Sequence, residues 1–113
     1  MEEPRTDVGI DVGETLAAQA AGAWLIDVRT EREFAAGHAL GSTNVPLAWI
    51  REAMARIADR QVVTICAHGA RSSQAAQTLR SLGADATYLA GGLTAWQRAG
   101  ERMFADRKKG ILI

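Results

Sequence analysis

Four β-branched residues in a row, Val62-Val63-Thr64-Ile65, lead straight into the one cysteine of the chain, Cys66. A short, mainly apolar run of this kind is the pattern of a strand covered on both faces, as in a parallel sheet. After it, Gly69 gives the backbone dihedrals that a side chain forbids. From Arg71 onward Ala75, Leu79 and Leu82 recur at helical spacing and Gly83 follows as a stop, which predicts a helix over 71–82. The cysteine therefore sits at a strand tip facing a helix N-terminus. Backbone N–H groups converge there and the helix dipole is positive, which favours a thiolate. A solitary cysteine is most often a small buried apolar residue, so the case for chemistry rests on the loop that follows it.

That loop is Ala67, His68, Gly69 and Ala70, closed by Arg71 and followed by Ser72 and Ser73. Wrapped above a helix N-terminus, a loop this short turns several N–H groups toward one point. An anionic sulfur, thiolate or persulfide, suits that point. Arg71 supplies a fixed charge and a planar fork to hold the loop or a substrate oxyanion. The small side chains around it leave the sulfur open, and His68 is the one loop side chain large enough to touch substrate. Ser72 and Ser73 offer hydroxyls to the amides of the first helical turn.

Composition narrows the function classes. A chain of 113 residues makes one domain with a real core. Its 13 basic and 13 acidic residues balance, and the small cluster Arg107-Lys108-Lys109 reads as a solvated tail, so nucleic acid is not an expected partner. One cysteine excludes an internal disulfide, and with His38 and His68 alone beside it no metal-ligand set of ordinary spacing exists. A free thiol fits a reducing compartment. The polar start, Met1-Glu2-Glu3-Pro4-Arg5, lacks the apolar segment of a signal peptide, and no apolar run is long enough to span a membrane. The expected location is the cytoplasm.

In chain order, strands alternate with helices. Residues 1–7 read as a flexible lead-in, 8–101 as the domain and 102–113 as a tail. A short first strand is expected at 8–12, a helix at 14–21 and a buried strand at 24–28 that carries Asp27 and Arg29 at its end. Thr30 and Glu33 form a capping box for a short helix that Gly37 stops. Residues 38–41 read as a turn, 42–45 as a third strand ended by Pro46, and 49–58 as a helix with Ile50, Met54 and Ile57 on one face. A last strand is expected at 87–89. Gly91-Gly92 turns into a closing helix that buries Leu93 and Trp96. The apolar end, Ile111-Leu112-Ile113, is expected to fold back or to join a second copy in a weak homodimer. The alternation predicts an α/β domain: a parallel sheet with helices on both faces. Ligand sites in such sheets lie beyond the carboxyl ends of the strands, where Cys66, Asp27 and Arg29 all fall.

Four stretches together resemble the single-domain rhodaneses, the thiosulfate:cyanide-type sulfurtransferases. They are Asp27-Val28-Arg29 with Glu33-Phe34, the run from Gly37-His38 to Val45-Pro46, the loop Cys66 to Arg71, and Leu89-Ala90-Gly91-Gly92 with Trp96. The resemblance implies a rhodanese-like fold with a five-stranded parallel sheet. It implies that Cys66 takes a sulfane sulfur from a small-molecule donor, thiosulfate or a persulfide, and holds it as a covalent persulfide with no other cofactor. A thiophilic acceptor, cyanide or a thiol, then collects it. Asp27 and Arg29 would support the loop from beneath. The related cysteine phosphatases and arsenate reductases place five residues between cysteine and arginine; the four here favour a single sulfur atom over a tetrahedral oxyanion. A partner-specific sulfur carrier or binding module is the other alternative.

Overall fold

The computed structural model describes residues 8–57 and 59–105. Helix α1 (Val12–Ala20) is followed by β1 (Trp24–Asp27), α2 (Glu31–Ala36), β2 (His38–Ala39) and β3 (Ser42–Asn44). A 3₁₀ turn (Leu47–Trp49), α3 (Met54–Ile57), β4 (Val62–Ile65), α4 (Ala70–Ser81), β5 (Ala86–Tyr88), α5 (Gly92–Arg98) and β6 (Met103–Phe104) follow among the described residues. The sheet is parallel, in the order β3-β1-β4-β5.

All four residues of β4 are fully buried, as a strand covered on both faces requires. Successive side chains of a strand point to opposite faces. On one face Ile26, Val28 and Val62 pack with Ile57 of α3 and with Ala75, Ala76 and Leu79 of α4. On the other, Leu25, Val63 and Ile65 pack with Leu93 and Trp96 of α5 and with Val12 and Ala18 of α1. Each large side chain buried this way contributes about 1.5–3 kcal/mol.

Among the described residues the parallel sheet has four strands, where the resemblance implied five. The segment expected as a first strand contributes a single parallel bridge, Ile10 to Leu89. Ile10 donates to the Tyr88 carbonyl at 2.9 Å and accepts from the Ala90 N–H at 2.8 Å. The ladder ends there because Asp11 already caps α1, in a reciprocal box with Glu14.

Two further readings change. The helix expected at 49–58 is a 3₁₀ turn after Pro46 followed by the short α3. Bonds from Ile50 to Leu47 and from Met54 to Arg51 are of the tighter i→i−3 kind, while Ala53 bonds to Trp49 at helical spacing, so the winding between the two pieces is mixed. The turn expected at 38–41 contains β2, which pairs antiparallel with β6 in the register His38 to Phe104 and Ala39 to Met103. The partner lies in the stretch read as a tail, so no local pattern could show the pairing. The readings of 1–7 as a lead-in and of Ile111-Leu112-Ile113 as a fold-back or dimer contact lie outside the described residues.

The chain passes from β1 outward to β3 on one side, and from β4 outward to β5 on the other. The crevice between the carboxyl ends of β1 and β4 is thus a topological switch point. Asp27 stands in register with Ile65 across it, which brings Asp27, Arg29 and Cys66 to one end of the sheet.

Candidate active site

Cys66 leaves β4, and the chain turns through Gly69, at φ +118°, into α4. The turn closes on the sulfur. Cys66 Sγ accepts the Gly69 N–H at 3.1 Å and the Ser72 N–H at 3.3 Å, and the His68 N–H bears on it as well. The Ser72 hydroxyl lies 3.3 Å from Sγ and 3.2 Å from the Gly69 carbonyl. That hydroxyl has one proton to give. Beside a thiol it donates to Gly69 and accepts the S–H; beside a thiolate it turns the proton to the sulfur. Burial pushes the Cys66 thiol up, but the Ser72 hydroxyl and the N–H groups of Ser72, Gly69 and His68 outweigh it, so the net shift is downward. Cys66 is 2% exposed. The expectation of an open sulfur is therefore not met, because Sγ lies inside the ring of donors it accepts from. Ser72→Ala removes the hydroxyl donor and keeps the amides. The midpoint of Cys66 alkylation by iodoacetamide against pH is expected to rise by about one pH unit; an unmoved midpoint would mean the amides alone set it.

Arg71, in the first turn of α4, reaches sideways to α2. Its Nη1 and Nη2 donate to Glu33 Oε1 and Oε2 at 2.9 and 3.2 Å. Glu33 Oε1 also accepts the Thr30 N–H at 2.9 Å and the Thr30 hydroxyl at 3.1 Å, while the Glu33 N–H donates back to Thr30 Oγ1. The capping box read from the sequence thus carries a third partner. The Arg71 fork and the Thr30 amide hold the Glu33 carboxyl at about 2, down from its ordinary 4.5, and the same pairing holds the Arg71 guanidinium above its usual range.

Asp27 and Arg29 form a buried pair at the end of β1. Arg29 Nη2 lies 2.8 Å from Asp27 Oδ2, and Arg29 Nε and the Arg29 N–H both donate to Oδ1. The same guanidinium donates to the Gly37 carbonyl at 2.6 Å, behind α2. Asn44 Nδ2 spans the strand end, donating to the Asp27 and Arg29 carbonyls at 3.0 Å each. His68 is exposed, with Nδ1 3.1 Å from the Thr94 hydroxyl. Ala67 and Ala70 present small side chains around the turn. His38 stands apart from the loop: its Nδ1 faces the Phe34 carbonyl at 2.8 Å and its ring stacks on Phe34. A cavity of about 370 Å³ opens on the α3 side, lined by Trp24, Val45, Trp49 and Ile57 among others; none of its lining residues belongs to the cysteine loop.

The rhodanese-like domain model matches residues 11–99, which takes in every residue of this site. The chain belongs to the rhodanese-like family. The domain is similar to an uncharacterized protein of Bacillus subtilis, YqhL, with 43% identity over 76 residues that make up 66% of this chain and 60% of the relative. It is also similar to an HTH-type transcriptional regulator of Mycobacterium tuberculosis, with 33% identity over 79 residues, 67% of this chain and 35% of the regulator. The matches therefore span 60% and 35% of the lengths of these relatives. Among solved structures, a thiosulfate sulfurtransferase from Pseudomonas aeruginosa superposes with a TM-score of 0.74 at 35% identity, covering 83% of this chain and 19% of that one. A rhodanese-related protein from Thermoplasma volcanium superposes with a TM-score of 0.76 at 28% identity, covering 87% and 98%.

The rhodanese-like domain uses residues that sequence reasoning left out of the site. The Cys66 carbonyl accepts the Leu93 N–H at 2.8 Å, and the Ala67 carbonyl accepts the Thr94 N–H at 3.2 Å, so the first turn of α5 holds the back of the loop. Gly92, at φ +57°, makes this approach: a Cβ there would overlap the Cys66 carbonyl oxygen and come within 2.7 Å of Ala67. The Gly91-Gly92 pair was the available signal, but the sequence shows it only as a turn. Thr64 Oγ1, inside β4, donates to the Ser72 carbonyl at 2.7 Å and ties the start of α4 to the strand. Among the described residues, no cluster of three histidine, cysteine or acidic side chains is grouped to hold a metal.

Proposed function

We propose that this rhodanese-like domain is a sulfurtransferase that carries a sulfane sulfur on Cys66. The convergence of the Gly69 and Ser72 N–H groups and the Ser72 hydroxyl on one buried sulfur is the observation that carries the reading. These donors favour the thiolate that must attack and equally favour the terminal sulfur of a persulfide, which is also an anion. With thiosulfate, the Cys66 thiolate attacks the outer sulfur. A new S–S bond forms, the donor S–S bond breaks with its electron pair going to sulfite, and Cys66–S–S⁻ remains. Cyanide or a thiolate then attacks the outer sulfur of that persulfide, and the Cys66 thiolate leaves. With cyanide the product is thiocyanate. The four residues between Cys66 and Arg71, against five in the related cysteine phosphatases, suit a cargo of one atom better than a phosphate.

The reaction asks for no cofactor beyond the cysteine, and the reading assigns it to a reducing compartment such as the cytoplasm, where a free thiol persists. Among the described residues, no helix is long and apolar enough to cross a membrane. Intact mass measurement after incubation with thiosulfate or an organic thiosulfonate tests the proposal. The protein is expected to gain one sulfur atom, to lose it on addition of dithiothreitol or cyanide, and to gain none as Cys66→Ser. A wild-type chain that stays unchanged in mass with both donors would overturn the reading.

A further inference from the structure

Resting on that reading, we infer that Glu33 sets which sulfur donors the domain uses: by engaging Arg71, it steers Cys66 toward singly charged donors and away from the thiosulfate dianion.

The argument is a count of charges around the loop. The attacking group is itself an anion, so a dianionic donor meets repulsion unless a cation faces it. Between Cys66 and Arg71 stand Ala67, His68, Gly69 and Ala70, none of them a fixed cation. His68 is turned toward Thr94, with Nδ1 3.1 Å from its hydroxyl. Arg29 is buried and closed by the Asp27 carboxylate and the Gly37 carbonyl. Arg71 is the remaining loop cation, and both of its terminal nitrogens donate to Glu33.

The pair is partly open to solvent, with 38% and 39% of the two side chains exposed, and exposed ion pairs are individually weak. What makes this one selective is that Glu33 is already fixed. Its Oε1 is bonded to the Thr30 N–H and hydroxyl, so the carboxylate is ordered whether or not Arg71 is present. Arg71 therefore finds a preorganised acceptor beside the loop, and a dianion must compete with it. A singly charged donor such as an organic thiosulfonate, RSO₂–S⁻, or a persulfide, R–S–S⁻, needs that help less.

Glu33→Gln is the clean probe, because glutamine also completes a capping box with Thr30 while removing the charge. Thiosulfate and methanethiosulfonate form the matched donor pair. Attack on either leaves the same Cys66–S–S⁻, with sulfite departing from the first and methanesulfinate from the second. Thiocyanate formation is measured for both donors across concentration. In Glu33→Gln the KM for thiosulfate is expected to fall about fivefold relative to the KM for methanethiosulfonate. Adding Arg71→Ala to Glu33→Gln is expected to erase that gain, since the freed guanidinium carries it. A KM ratio equal to that of wild type, or a gain that persists in the double variant, would overturn the inference. Failure of the parent reading looks different: no thiocyanate then forms from either donor in any variant.

Discussion

Asp27→Ala is expected to destabilise the fold by about 3–5 kcal/mol, the usual cost of leaving one member of a buried ion pair alone. Asp27 is fully buried and Arg29 is 8% exposed. The carboxylate accepts from Arg29 Nε and Nη2 and from the Arg29 backbone N–H. Without it, the guanidinium keeps its bond to the Gly37 carbonyl, and its charge stays in the interior. For a domain of this size the melting temperature should fall by more than about 10 °C. Replacing both residues together, as Asp27→Leu with Arg29→Met, should cost less than Asp27→Ala, because no buried charge is stranded. Thermal melts of the three proteins decide it. A double variant as unstable as the single one would show that the pair contributes more than the mutual neutralisation argued here.

Gly92→Ala is expected to strike the sulfur site from behind. The residue sits at φ +57°, and a methyl group would run into the backbone of Cys66 and Ala67, which has no freedom to move aside as a flexible side chain would. Either α5 retreats or the loop shifts. A shift of about 1 Å at the Gly69 and Ser72 donors is enough to slow sulfur loading roughly a hundredfold. Gly22→Ala is the matched control. It too has a positive φ, +102°, but nothing lies within 4 Å of its added Cβ. That substitution should cost about 1–2 kcal/mol of backbone strain and leave the loading rate alone. Equal loading by Gly92→Ala and wild type would contradict the packing of α5 against the loop. A loss in both variants would trace the effect to stability instead.

These two sites also mark how much the sequence reveals. The strand at β4, the cysteine at its tip and the helix after it are legible because they follow one another in the chain and each has a local signature. The Asp27–Arg29 pair was visible as a position, since both residues stand at the end of a strand. Its burial was not, because that depends on Gly37 and Asn44 closing over it. The Thr30–Glu33 box was legible by spacing, whereas the Arg71 fork on the same carboxylate joins residues 38 apart. The β2–β6 pairing and the capture of loop carbonyls by α5 likewise join distant segments, and no periodicity encodes them. The first strand, expected at 8–12, is overcounted for the opposite reason. Its residues have strand character, but Asp11 commits the chain to a helix one residue after the bridge.

The bonds from α5 have a consequence for the orientation of individual peptide planes. The carbonyl of the peptide unit joining Ala67 to His68 is held by the Thr94 N–H. The Cys66 carbonyl is held by Leu93, and the Gly69 carbonyl by the Ser73 N–H and the Ser72 hydroxyl. Among these groups the N–H donors of Gly69 and Ser72 face the sulfur, and the carbonyls of Cys66, Ala67 and Gly69 face away from it. Helix α5, which begins 26 residues after the cysteine, thus fixes the two carbonyls at the back of the cradle. The preference for an anion thus draws on the packing of a distant helix as well as on the Ser72 hydroxyl and the amides beside the sulfur.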